Sequence, residues 1–164
     1  PQPGLPAEKV SVKFEGLSKV PVKGRLPDLE PYPLPDTKKV ISNDEVKIQL
    51  TRLLKKTKVT ECTFELTNIG KHALLLDHSR MTATAEGDDN PWPTEGESKG
   101  YRVLWPGDDY DFFLRFTIPG KVVDMQFANM LVHWNEGLLV SELEDYPSSE
   151  FEMEIDLGKT EARN

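Results

Sequence analysis

Three groups of residues have the types that could do chemistry. The first holds the nucleophiles and bases. Cys62 is the single cysteine, and it alternates with Phe64 and Leu66, which reads as a small core residue and not a nucleophile. His72 falls in a turn and His78 and His133 in strands. No G-x-S-x-G elbow, H-E-x-x-H pair or Cys/His zinc spacing accompanies them. The second group could hold a soft metal. His78 with Met81, and Met125 and Met130 with His133, offer imidazole and thioether, which suit copper. Strand residues three apart face opposite sides, however, so neither His–Met pair converges without a bulge. The third group is hard-oxygen. Asp88, Asp89 and Asn90 form one cluster, and Asp108, Asp109 and Asp111 a second. Either is a candidate for calcium, although neither has EF-hand spacing, and Asp108 and Asp109 are also ordinary turn residues. A periplasmic calcium- or copper-binding protein is therefore an alternative reading, and an enzyme of unknown class a further one. The expectation is no enzyme, no catalytic residue and no cofactor.

Aromatic residues give a different candidate. Phe113, Trp134 and Trp92 are difficult to fit inside one small core together with the other rings. If Phe113 and Trp134 share an outer sheet face, they form an apolar patch of the kind that marks a protein partner. The competing reading is that the proline-rich first third of the chain covers them.

The elements that must position these residues are strands. In Leu104–Pro119, a Pro106-Gly107-Asp108-Asp109 turn feeds a segment in which Tyr110, Phe112, Leu114, Phe116 and Ile118 share one face. Asp111, Phe113, Arg115 and Thr117 share the other. Five large apolar side chains on one side need a second apolar layer. Val46, Ile48 and Leu50 alternate in the same way from Glu45 to about Leu54. Lys55-Lys56-Thr57 is the expected turn, and Lys58–Asn68 the returning strand of a hairpin. Leu74–Ala85 is expected to be a strand with a bulge or a departure from its sheet, and Glu86–Gly100 a long polar loop in which Trp92 folds back on the sandwich edge. Tyr101–Trp105 reads as a short strand. Met125–Trp134, with Phe127 and Leu131 on one face and Ala128, Met130, Val132 and Trp134 on the other, reads as a central strand. Leu138–Leu143 and a last strand carrying Phe151, Met153, Ile155 and Leu157 complete the set.

Eight of the 13 prolines lie in residues 1–36, so this stretch cannot be a helix or a continuous central strand. Lys9–Glu15 and Val20–Arg25 can be short extended pieces, and Leu26–Asp36 reads as a polyproline-like linker. The expected organisation is a proline-rich arm over 1–44, a β-sandwich over 45–158 and a polar tail over 159–164. The fold class is all-β: two sheets with about seven to nine strands, immunoglobulin-like by strand count and turn placement.

Composition narrows the partners. The 164 residues carry a net charge of −8, and the pI is about 4.9. This disfavours nucleic acid and anionic membranes. The basic exception, Arg52, Lys55, Lys56 and Lys58, falls at a hairpin tip and reads as a solvated turn. No apolar run approaches the ~18 residues of a membrane span. The chain opens PQPGLP without methionine, as expected of a processed product with a signal, a lipid anchor or another domain upstream.

The strand ending Asn68-Ile69-Gly70, the long loop, Leu104-Trp-Pro-Gly-Asp108, the strand ending Phe116-Thr-Ile-Pro119 and the apolar strand after it resemble a group of bacterial immunoglobulin-like domains of unknown function. That group occurs in secreted antigens and small surface lipoproteins. The resemblance covers roughly residues 45–134. It implies an extracytoplasmic (periplasmic or cell-surface), non-catalytic module that acts through protein contact, and it transfers no binding residues.

Overall fold

The structure is a computed structural model that describes residues 8–118, 124–147 and 149–155. Fifteen strands follow in order: β1 Glu8–Phe14, β2 Ser18–Lys19, β3 Tyr32–Leu34, β4 Val40–Ser42, β5 Val46–Lys55, β6 Val59–Asn68, β7 Ala73–Leu76 and β8 Thr82–Ala85. The rest are β9 Asp88–Pro93, β10 Arg102–Leu104, β11 Asp109–Thr117, β12 Met130–His133, β13 Leu138–Ser141, β14 Glu144–Asp145 and β15 Ser149–Ile155. The described residues contain no α-helix, only 3-10 turns at His78–Arg80 and Asn135–Gly137. None of their elements is a helix long and apolar enough to cross a membrane. The fold is all-β, and every sheet is antiparallel.

The chain forms two compact units, Val20–Leu143 and a smaller one joining 1–19 to 144–164. In the smaller unit β1 pairs with β15, setting Lys13 opposite Glu150, and β2 pairs with β14. Leu157 and the tail 159–164 lie outside the described residues.

The larger unit contains three sheets. The first has the order β11-β6-β5-β4, the second β3-β12-β8-β9 and the third β10-β7-β13. The alternation in β11 is observed as expected: Phe112, Leu114 and Phe116 are buried, while Asp111, Phe113, Arg115 and Thr117 are exposed. Cys62, Phe64 and Leu66 of β6 and Val46, Ile48 and Leu50 of β5 continue the same inner face. They share one core with Tyr32, Ala83, Met130 and Val132 of the second sheet and Leu74, Leu76, Leu138 and Val140 of the third. The β5–β6 hairpin shifts register between Leu50 and Arg52. On its open edge β11 bonds the chain at Thr94 and Glu95, which use the N–H and carbonyl of Arg115 and interrupt that edge there.

Asn68 explains why Asn-Ile-Gly and Trp-Pro-Gly-Asp occur together. Its buried side chain donates from Nδ2 to the carbonyls of His72 and Leu104, both at 2.9 Å, and accepts from the Gly70 N–H at Oδ1. Its main chain bonds Asp108 and Gly107. Gly107 has φ +90°, which the third position of the Trp105–Asp108 turn requires. One side chain thus locks the ends of three elements.

Three expectations change and a fourth is met. The predicted polar loop 86–100 contains β9, a hairpin partner of β8 turned at Glu86-Gly87, with Gly87 at φ +82°. Pro91 and Pro93 are tolerated because β9 is an edge strand that needs donors on one side only. The predicted linker 26–36 contains β3, with Tyr32 and Leu34 buried against the core. Of the predicted strand 125–134 only β12 is extended. Asp124 closes a turn by accepting from the N–H groups of Gln126, Phe127 and Ala128, which leaves Phe127 exposed to solvent. Leu74–Ala85 does leave its sheet, crossing from the third sheet to the second through the turn at 78–80.

Candidate functional site: an acid-rimmed cleft

The second sheet presents an unusual outer face at one end. The inner rung, Leu34–Met130–Ala85, is buried. The next rung, Pro33–Leu131–Thr84, faces outward, and Leu131 is 44% exposed. Pro35 and the Glu86-Gly87 turn rise on either side of this rung. They enclose a cleft of about 530 Å³.

The floor is apolar: Pro33, Pro35, Leu131 and parts of Ala85 and Met130. The rim carries Asp36, Glu86, Asp88 and Asp89, and no lysine, arginine or histidine is among the lining residues. Three of the four carboxylates are held in place by neutral donors. Asp36 Oδ1 accepts from the N–H groups of Lys38 and Lys39 at 3.0 and 3.2 Å. Glu86 Oε2 accepts from Asn129 Nδ2 at 2.8 Å. Asp88 Oδ1 accepts from the Asn90 N–H and Nδ2, and Oδ2 from Trp92 Nε1 at 2.9 Å. The Asn90 backbone N–H contributes most to holding the Asp88 carboxyl below its ordinary value, with the Asn90 amide next and Trp92 adding to both against slight burial. The negative charge is thus fixed in position but not neutralised.

A second carboxylate site lies elsewhere in the larger unit. Asp77 is buried, yet its surroundings favour the charged form. Burial opposes its ionisation, but hydrogen bonds from the hydroxyls of Ser79 and Ser98 (2.6 Å each), from Arg80 Nε and from the Ser79 N–H outweigh that cost. Together they hold its carboxyl below the usual range. Arg80 also reaches Glu136 at 3.1 Å. Asp77 thereby ties the turn at 78–80, the loop at 98 and, through its own N–H to the Gly137 carbonyl, the turn at 135–137.

The residues singled out in the sequence do not gather. Phe113 is half-exposed on the outer face of β11, in a shallow hollow with Arg52, Leu54, Glu61 and Thr63. Trp134 is in the core, edge-on to Phe64 with 5.6 Å between ring centroids, and its Nε1 donates to the Glu30 carbonyl. No shared Phe113–Trp134 patch exists. The cause is the inward phase of β12, which Trp134 continues from Met130 and Val132. Trp92 packs half-buried at the edge of the second sheet, as its flanking prolines suggest.

Asp108 caps its own turn by accepting from the Trp105 N–H, and Asp109 and Asp111 lie exposed along β11. Among the described residues no three His, Cys, Asp or Glu side chains converge as metal ligands. Met130 points into the core, while the His133 ring lies beside Thr84, with Nε2 3.0 Å from Oγ1, so they occupy opposite faces of β12. Met81 and Met125 are wholly buried. Cys62 is buried with its thiol pushed up to about 12 by burial.

The cleft was not legible in the sequence as a whole. Asp88 and Asp89 stand out in the sequence as oxygen donors, but Pro33–Asp36 and Asn129–Leu131 belong to segments whose patterns are those of a linker and a central strand. The visible signal was the local excess of acids after Ala85. Comparison of the chain with protein-family models, with curated proteins and with solved structures returned no match.

Proposed function

We propose that the chain is a non-catalytic binding module whose acid-rimmed cleft takes a basic, partly apolar segment of a protein partner. The observation that carries this reading is the combination of four rim carboxylates, three of them held by neutral donors, with no lining cation and an apolar floor. A lysine or arginine side chain can lay its methylene stem on Leu131 and Pro33 while its charge meets the rim. Attraction to an acidic rim also speeds encounter and selects against acidic partners.

The distribution of perturbed groups supports a non-catalytic role. The Cys62 thiol is in the core, the Tyr32 hydroxyl bonds the carbonyls of Lys39 and Asp36, and Asp77 is engaged by its own donors. An active centre brings such groups together around substrate. An immunoglobulin-like arrangement and an extracytoplasmic setting belong to the same proposal. They are supported by the antiparallel sheets, the Asn68 lock and the resemblance over 45–134.

A fluorescent peptide of alternating lysine and valine, followed by anisotropy, tests the reading. Saturable binding that weakens with salt and falls about tenfold in D36N/E86Q/D89N is expected, with no binding of the glutamate–valine counterpart. Equal binding of both peptides, or unchanged binding by the variant, overturns it.

A further inference from the structure

We propose that a second site, a basic-aromatic pocket beside β10, binds a small ligand carrying a phosphate or sulfate ester on an aromatic or sugar ring. The pocket encloses about 290 Å³ over Leu76, between Tyr101 and Tyr110, and is flanked by His78, Lys99 and Arg102.

Its walls are held from behind. The Trp105–Asp108 turn links β10 to β11, and Tyr110 lies beneath Arg102. The guanidinium carbon lies 4.2 Å from the ring centroid. A guanidinium held over a ring face by cation–π attraction can still offer N–H groups as a fork to two oxygens of one oxyanion. Tyr101 is fixed by its hydroxyl, which donates to the Glu136 carbonyl at 2.9 Å, and by Arg80, whose guanidinium carbon is 5.3 Å from its ring centroid. The Lys99 loop is anchored on each side. Ser98 Oγ donates to buried Asp77 and accepts from the Gly100 N–H, where Gly100 turns at φ +80°. Asp77 thus acts as a positioning residue for this pocket.

Charge supplies the second half of the case. In a chain of net charge −8, Arg80 is matched by Asp77 and Glu136. Arg115 is matched by Glu61 and Glu95. Lys99 and Arg102, in contrast, have no carboxylate at ion-pair distance among the described residues. Two unmatched cations of different kinds, one a point charge and one a fork, with a phenol ring on either side, suit a compact oxyanion attached to a ring.

The test uses the whole chain, isotope-labelled, titrated with phenyl phosphate, phenyl sulfate, inorganic phosphate and phenol while amide shifts are followed. Saturable shifts at Lys99, Gly100, Tyr101 and Arg102 with at least one ester are expected, stronger than with inorganic phosphate or phenol alone. The stronger ester distinguishes a phosphate from a sulfate ligand. R102Q and K99Q should each weaken binding about tenfold at an unchanged unfolding midpoint, and the hairpin-tip control K56Q/K58Q should leave it unaltered. No saturable shift, equal response to phenol, shifts centred on residues 52–58, or undiminished binding by R102Q and K99Q would each overturn the proposal. None of these outcomes bears on the acid-rimmed cleft.

Discussion

Asp77 and the rim of the cleft use the same functional group in opposite ways. Asp77 is withdrawn from water and surrounded by donors, one of them a cation. The rim carboxylates remain in water, three of the four oriented by neutral donors, and have no cation in the cleft to offset them. A buried carboxylate satisfied from within contributes to the fold, since removing it leaves several donors with nothing to bond. An oriented carboxylate without a counter-charge adds little to the fold, and local repulsion makes it slightly unfavourable until a cation arrives. On the proposed reading, charge placed at a cost to the free chain is balanced when a partner supplies the missing half.

The largest effect should come from breaking the buried side of this pair. Asp77→Ala strands the Ser79, Ser98 and Arg80 donors around a buried void, and about 3 kcal/mol of unfolding free energy should be lost, measured by urea titration. The acid limb of the stability curve should change with it. The carboxyl of Asp77 titrates lower in the folded protein than in the unfolded chain, so the unfolded chain takes up this proton first as pH falls. The contribution is complete above the unfolded value of about 4 and fades as pH drops through the lowered folded value. The alanine variant should therefore show a shallower loss of stability in that acid window than the parent. An identical acid limb would mean that another group carries it.

Breaking the exposed side should do the reverse. D36N/E86Q/D89N should leave the unfolding midpoint within experimental scatter or slightly higher, since it relieves repulsion among groups that have no counter-charge in the cleft. It should nevertheless cost about tenfold, roughly 1.4 kcal/mol, in affinity for the lysine–valine peptide. Restoring one carboxylate at a time would show whether the rim acts as a field or through a single position. A uniform, graded recovery is expected of a field.

The inner faces of these sheets were legible because burial imposes a period of two, which β6 and β11 obey over ten and nine residues and β5 from Val46 to Leu50, before its register shift. The turns around Asn68 and Gly107 were legible from residue type. The bond between them was not, because it joins residues 36 apart through a side chain. Strands β3 and β9 escaped because three of their residues are prolines, which signal a break everywhere except on an edge. Edge status depends on which strands pair, and local sequence does not carry that information. The cleft suffers most from this. Its floor is a single rung across three strands whose residues, Pro33, Thr84 and Leu131, have no common spacing.

A third test concerns Cys62, which the alternation of β6 placed correctly in the core. Its Sγ lies 3.8 Å from the Leu114 carbonyl, and the thiol is pushed up to about 12. The folded protein should resist thiol reagents at neutral pH, and labelling should follow global unfolding. Cys62→Ala should cost about 1 kcal/mol, the loss expected from a small buried void. Rapid labelling at full stability would show that the first sheet opens locally.

The smallest effect is expected at Phe113, and it sharpens the contrast between the two outer faces. Phe113 is half-exposed on β11, directly opposite Thr63, with Leu54 near it. Its ring covers little that is not already sealed by Phe112 and Leu114 beneath the sheet. Phe113→Ala should therefore change unfolding free energy by less than about 0.5 kcal/mol. If the cleft is the partner surface, the same variant should bind the lysine–valine peptide like the parent. A drop in peptide affinity at unchanged stability would move the contact from the acid-rimmed face of the second sheet to the outer face of the first. There Arg115 is already matched by Glu61, and Arg52 adds a positive charge. Such a surface gives basic peptides no electrostatic advantage, so the salt dependence of binding should vanish together with the effect of the rim variant.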